Sequence, residues 1–114
     1  MLRLKKRWQF LRAATNGRKW VAPSMVVQIC SHEEGELKEK YRVGYTVSKK
    51  VGGAIERNRA KRRLRAAAAQ VLPQYARTGF DFVLIGRKRT LEMSFPGLVQ
   101  DLKTALIKLD AFNE

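Results

Sequence analysis

The spacing of apolar and polar positions along the chain predicts three helices. A short helix is expected over residues 4–15, where apolar side chains recur every three or four positions until Gly17. A second helix over residues 57–72 should end at Pro73, because proline lacks the amide hydrogen that a helix interior needs. A third is expected after Ser94, whose hydroxyl can cap the first turn, and a broad apolar stripe follows it.

Three other segments have the pattern of β-strands. Residues 20–30 alternate between two faces, and residues 41–47 follow a polar, acidic loop, so the two segments are predicted to form an antiparallel hairpin. Residues 80–86 are almost continuously apolar, which is typical of a strand buried on both faces. The resulting order, α-β-β-α-β-α, indicates one α+β domain over residues 1–114, an α-β sandwich in which helices pack on a small mixed sheet.

The net charge of the chain restricts its possible functions more than its length does. The chain has 114 residues, with 24 Lys and Arg against 10 Asp and Glu, for a formal net charge of +14. So much like charge repels itself unless a polyanion neutralises it, and nucleic acid is the first candidate, ahead of an anionic membrane. A single cysteine and a single histidine exclude a disulfide framework and a metal site rich in either residue. Because no run of about 18 apolar residues and no secretory signal is visible, a cytoplasmic protein is expected.

The positive charge is concentrated around the start of the second helix, where eight basic residues and one acid occupy 17 positions. At about 100° per residue, Arg57, Lys61 and Arg65 lie in one sector of this helix. Asn58 and Arg62 lie in the same sector, and a separate, apolar sector contains Ala60, Leu64, Ala67 and Val71. Like charges four residues apart destabilise a helix by about 0.2–0.5 kcal/mol per pair. The arrangement is therefore unfavourable unless phosphates bind this face.

Residues 41–65, YRVGYTVSKKVGGAIERNRAKRRLR, resemble the protein subunit of bacterial ribonuclease P. Arg-Asn-Arg at residues 57–59, with further basic residues after it, is similar to the most specific signature of that family. Val-Ser-Lys-Lys at residues 47–50 and Arg-Val-Gly at residues 42–44 also match, and weaker similarity extends over nearly the whole chain. The resemblance implies an α-β sandwich with a left-handed β-α-β crossover, an exception to the usual right-handed rule.

The same resemblance implies a ribonucleoprotein endoribonuclease. Its catalytic RNA subunit would hold the Mg²⁺ ions and cut the 5′ leader from precursor tRNA, and the protein would bind the RNA and the leader. No catalytic residue, cofactor or metal site is expected in the protein itself. The scattered carboxylates agree with this division, since metal-assisted hydrolysis by a protein needs clustered ones. The expected partners are thus the catalytic RNA and precursor tRNA, with no membrane and no small-molecule substrate.

The family motif implies site residues position by position. The residues expected to contact RNA are Arg57, Asn58, Arg59, Lys61, Arg62, Arg65, Lys49 and Lys50. The leader is expected in a cleft between the first helix and the sheet, at Phe10, Ala14 and Gln28. The family often has aromatic residues at the last two positions, and one stacked base contributes about 1–3 kcal/mol, so leader binding is expected to be weaker or differently built. Cys30 is expected to be an inert strand residue and His32 a solvated loop residue.

Other functions stay open at this point. A ribosomal or general structured-RNA-binding protein would bind unrelated RNAs with comparable affinity and process none of them. A DNA-binding module would use residues 57–65 as a recognition helix and prefer duplex DNA. Binding to an anionic membrane is disfavoured, because the apolar side of the basic helix is mostly alanine and would bury little area.

Overall fold

The computed structural model describes residues 1–33, 35–36 and 38–113 and contains one five-stranded sheet with helices on both faces. The strands are β1 (Leu2–Arg3), β2 (Arg18–Val21), β3 (Met25–Ser31), β4 (Arg42–Val47) and β5 (Phe80–Gly86). The helices are α1 (Arg7–Asn16), α2 (Ala54–Tyr75), α3 (Lys88–Glu92) and α4 (Phe95–Lys108), with a short 3-10 turn at Lys49–Val51. The six longer elements follow the predicted order, and β1, β2, α3 and the turn are additions to it.

The strand order in the sheet is β1-β4-β5-β3-β2, and the sheet is mixed as predicted. The central strand, β5, is parallel to β4 and antiparallel to β3. The predicted hairpin of residues 20–30 with residues 41–47 is therefore wrong, because β5 lies between the two segments. An almost wholly apolar strand is most stable in the centre of a sheet, with a neighbour at each edge and cover on each face. The left hand of the β4-α2-β5 crossover stays a prediction from the resemblance.

The segment of residues 20–30 forms parts of two strands, where one was predicted. The chain turns after Val21, and the amide of Ala22 donates to the carbonyl of Met25 at 2.8 Å. Pro23 lies inside this turn, where its missing amide hydrogen breaks no ladder bond. Pro23 thus lies between β2 and β3.

The spacing of Leu4, Trp8 and Leu11 predicts an apolar face for the first helix, but the helix buries a different face. Trp8 and Leu11 are each 50% exposed, whereas Gln9 and Ala13 face the sheet. The ring of Trp8 covers the guanidinium of Arg12, with 5.1 Å between the carbon of that group and the ring centroid. The orientation of α1 therefore depends on Arg12 as well as on apolar contacts, and apolar spacing alone could not predict it.

The main core lies between the sheet and the helices α2 and α4. The apolar stripe predicted for α2 is confirmed, since Ala60, Leu64, Ala67 and Val71 are each 0% exposed.

The helix α2 continues past Pro73, contrary to prediction, because proline in a last turn removes only one helix bond. The predicted Ser94 cap of α4 is confirmed, because the Ser94 hydroxyl accepts a hydrogen bond from the Gly97 amide at 3.2 Å. Among the described residues, no helix is long and apolar enough to cross a membrane.

Candidate nucleic-acid interface

The helix α2 carries most of the predicted RNA contacts on one element. We call this set the basic stripe; its members are Arg57, Asn58, Arg59, Lys61, Arg62 and Arg65. Arg57 and Lys61 are half-buried at the edge of the core, and the other four are exposed. Within residues 1–33, 35–36 and 38–113, no member has a carboxylate within 4.0 Å, so the cations of the stripe are not neutralised by these parts of the protein.

The 3-10 turn before α2 adds two more cations, Lys49 and Lys50, both exposed. The turn is anchored by the buried side chain of Val51 and by the hydroxyl of Ser48, which accepts from the Lys50 amide at 3.3 Å. Gly52 then has a φ of +152°, a conformation that side chains disfavour, and this lets the chain enter the helix directly. All eight residues predicted to contact RNA therefore lie on α2 and the turn that leads into it.

One arginine of α2 has a different role. The Nε atom of Arg63 donates to the carbonyl of Thr90 at 2.9 Å, and its Nη2 atom donates to the carbonyl of Met93. Thr90 lies in the middle of the short helix α3, and Met93 directly follows its last residue. Arg63 therefore fastens α2 to α3, and it was not among the residues assigned to RNA.

The second candidate surface is the sheet face that α1 covers only in part. Strand pairing arranges its side chains in three rows across β4, β5 and β3: Arg42–Asp81–Cys30, Gly44–Val83–Gln28 and Thr46–Ile85–Val26. The helix α1 lies over the first row, and all three members of the third row are half-buried. In the second row Gly44 and Val83 are buried and Gln28 is half-buried, so Gln28 and the third row form the floor of a shallow cleft with α1 as one wall.

The three residues predicted for the leader cleft lie on this side of the sheet. The ring of Phe10 lies against Gly44, where an added Cβ would come within 2.5 Å of a ring carbon. Glycine in the Arg-Val-Gly sequence thus makes room for the aromatic wall. Gln28 is half-buried in the second row, and Ala14 is exposed one helical turn after Phe10. The cleft therefore has one ring, one amide and one methyl group at the predicted positions.

Under α1, the first row contains a buried ion-pair network that the sequence analysis missed. The fully buried carboxylate of Asp81 accepts from Arg12 at 3.1 Å and from Arg42 at 2.7 and 2.9 Å. Glu36 binds the same two arginines, at 2.7 Å to Arg12 and 2.6 Å to Arg42. We call Arg12, Arg42, Glu36 and Asp81 the Asp81 network. The lone acid in the apolar segment 80–86 was the signal that could have indicated it.

His32 belongs beside this network, so the prediction of a solvated loop residue is wrong. His32 is only 4% exposed, and its Nε2 atom lies 2.8 Å from a carboxylate oxygen of Asp81. The backbone explains this burial, because the His32 amide donates to the Gly79 carbonyl at 2.8 Å and extends the pairing of β3 beside β5. Cys30, in the same row, is also buried, and burial raises the pKa of its thiol.

The Asp81 network neutralises its own charges. Hydrogen bonds, foremost the one from Arg12, lower the pKa of Glu36 to about 2. The pKa of Arg12 is raised mainly by its hydrogen bond to Glu36. The pKa of Arg42 is raised mainly by its hydrogen bond to Asp81. These carboxylates are bound by guanidinium groups and are unsuited to hold a metal ion. Across the described parts of the chain, no three or more His, Cys, Asp or Glu residues are grouped to bind one.

Comparison with known proteins finds relatives over nearly the whole chain. The family model described as Ribonuclease P matches residues 1–110. The ribonuclease P protein component of Paramagnetospirillum magneticum is 50% identical over 113 residues, covering 98% of this chain and 85% of that protein. The corresponding protein of Ruegeria pomeroyi is 54% identical over 109 residues, covering 95% and 86%.

Solved structures agree with the sequence relatives. The RNase P protein of Staphylococcus aureus matches with a TM-score of 0.80 and 27% identity, and the match covers 99% of each chain. The RNase P protein of Thermotoga maritima matches with a TM-score of 0.75 and 28% identity, covering 96% of each. The similarity therefore includes both surfaces described above.

Proposed function

Because the chain belongs to the ribonuclease P protein family, we propose that its basic stripe, with Lys49 and Lys50, binds the RNA subunit of that ribonucleoprotein. The chain is the protein component of an endoribonuclease that acts with an RNA subunit, and this favours a processing role over that of a general RNA-binding protein. The observation that supports the RNA contact is that the cations of the stripe have no carboxylate partner among the described residues. Each phosphate that a lysine or arginine neutralises releases counterions, so such a surface binds RNA tightly at low salt.

We further propose that the cleft beside α1 holds the 5′ leader of precursor tRNA. A single strand suits this cleft, because Gln28 and the third row are half-buried and Phe10 offers a ring on which one base can stack. Gln28 offers an amide that can hydrogen-bond a base edge or a sugar. With one ring at these positions, we expect the contribution of the cleft to binding to be modest.

The protein's part in the reaction is to bind and to orient. In this proposal the RNA subunit holds the Mg²⁺ ions, which supply the hydrolytic chemistry. The protein residues suited to the reaction are cations that lessen repulsion between two RNAs and keep the leader in place. The Asp81 network contributes by fixing α1, which is one wall of the cleft. Since precursor tRNA is the substrate, the proposal places the protein in the cytoplasm, where that RNA is processed.

A reconstituted cleavage assay tests the proposal. Precursor tRNA is incubated at low Mg²⁺ with the protein, with the matching RNA subunit, and with both. Leader removal is expected to be strong only when both are present. Cleavage by the protein alone, or no stimulation of the RNA by the protein, would contradict the proposal. Binding of unrelated structured RNAs or duplex DNA with equal affinity would favour the alternative functions.

A further inference from the structure

A small pocket lies at the end of the basic stripe, between α2 and the edge of the sheet formed by β1 and β4. It has a volume of about 250 Å³ and is lined by Met1, Arg3, Val43, Tyr45, Arg65 and Ala69. Sites for drug-sized ligands are larger, about 300–1,000 Å³, so this pocket suits one base-sized group. Because Arg65 is both a wall of the pocket and the last cation of the stripe, the pocket continues the proposed RNA-binding surface.

The walls of the pocket offer the groups on which nucleobases stack. The carbon of the Arg65 guanidinium lies 5.7 Å from the ring centroid of Tyr45. Bases that splay out of single-stranded RNA stack on aromatic rings and on guanidinium planes. Arg65 is exposed and has no carboxylate partner among the described residues, so it can move outward and cover a base placed on the ring.

Charge and hydrogen bonding fit the same occupant. Burial raises the pKa of the Tyr45 hydroxyl, and the positive charges of Arg3 and Arg65 oppose that shift. The hydroxyl therefore stays protonated at neutral pH and can donate to a base. The two arginines supply the positive charge that a phosphate at the mouth of the pocket requires.

We propose that this pocket holds one unpaired nucleotide of the RNA subunit, its base stacked on Tyr45 and covered by Arg65, with its phosphate beside Arg3. The inference rests on the proposed function, because the stripe must bind that RNA for the nucleotide to arrive. The RNA subunit is favoured over the leader by position. Tyr45 packs on the core side of β4, whereas the leader cleft uses the neighbouring positions Gly44 and Thr46 on the opposite face.

A conservative substitution of Arg65 separates the contribution of stacking from that of charge. The variant R65K keeps the cation but loses the planar group, so it should weaken binding of the RNA subunit about 5-fold or more without changing the salt dependence. The matched control is R77K, a substitution of an exposed arginine outside both surfaces, which should leave affinity within about 2-fold. Wild-type affinity in R65K would overturn the pocket.

Substitutions at Tyr45 test the ring. Y45L keeps apolar bulk against the core and should also lose about 5-fold or more, whereas Y45F keeps the ring and should recover most of that affinity. Thermal unfolding of the free variants checks the fold, and if Y45L is unfolded, the R65K result decides alone. Equal loss in Y45F and Y45L, or a loss seen only with leader-containing precursor tRNA, would overturn the assignment.

The same measurements separate this inference from the proposed function. If R65A lowers both affinity and salt dependence while R65K does neither, the stripe binds RNA phosphates and the nucleotide pocket is wrong. If R57A and R62A change neither quantity, the proposed function itself is wrong.

Discussion

The protein contains two groups of arginines that differ in what surrounds them. In the Asp81 network, Arg12 and Arg42 each bind Glu36 and Asp81, and Arg12 also lies 3.7 Å from Glu33, so the charges cancel beneath α1. In the basic stripe, the cations have no such partners within the described residues, and repulsion between them weakens the helix. The comparison teaches that arginine content alone does not indicate an RNA-binding surface, because only cations without nearby carboxylates are available to phosphates.

Among the substitutions that test this comparison, a change at Asp81 should have the largest effect on stability. In D81N the two arginines lose their buried counter-charge, and removing one partner of a buried ion pair destabilises a protein by about 3–5 kcal/mol. Urea denaturation of the free protein measures this loss. The control E92Q removes an exposed carboxylate and should change stability by less than about 0.5 kcal/mol. A loss below about 1 kcal/mol in D81N would mean that the network does not hold the fold together.

Acid should act on the Asp81 network through Glu36. Its pKa is about 2 in the folded protein, lowered from an ordinary value of 4.5. A depressed carboxyl pKa contributes stability that is present above the ordinary value and is lost as the pH falls towards the folded value. The stability advantage of the wild type over E36Q should therefore shrink by up to about 3 kcal/mol between pH 4.5 and pH 2. Denaturation curves at several pH values measure it, and a constant difference between the two proteins would contradict the prediction.

These two regions also show how far the sequence could predict the molecule. The existence of α2, its apolar side and the exposure of most of its basic residues follow from spacing within one element and were predicted correctly, although both ends of the helix were not. The Asp81 network joins Arg12 to a residue 69 positions away, so no local pattern indicates it. For the same reason, the central place of β5 was missed, although the length and apolar character of that strand were predicted. Helices and strands set by local sequence are thus predictable here, whereas contacts between segments distant in sequence are not.

Two neighbouring arginines of α2 offer a sharper test of the contrast. R63A removes bonds to the carbonyls of Thr90 and Met93 and should destabilise the protein by about 1.5–3 kcal/mol, with the salt dependence of RNA binding unchanged. R62A should do the reverse. R62A should lower the slope of log affinity against log salt by about one unit and leave stability within about 0.5 kcal/mol. R57A should lower the same slope by about one unit. Denaturation and salt titrations would contradict the distinction if both variants behaved alike.

The smallest expected effect is in the cleft, where binding depends on apolar contact more than on charge. F10A removes the one ring at the predicted cleft positions, and loss of a single stacked base costs about 1–3 kcal/mol, of which we expect the lower end. The affinity of the holoenzyme for precursor tRNA should therefore fall about 5-fold, with little change for mature tRNA, which has no leader. F10L is the matched variant, because it keeps apolar bulk against Gly44 and shows whether the loss comes from packing. Equal loss for both RNAs in F10A would mean that Phe10 only supports α1, and the cleft would then have no aromatic contact with the leader at this position.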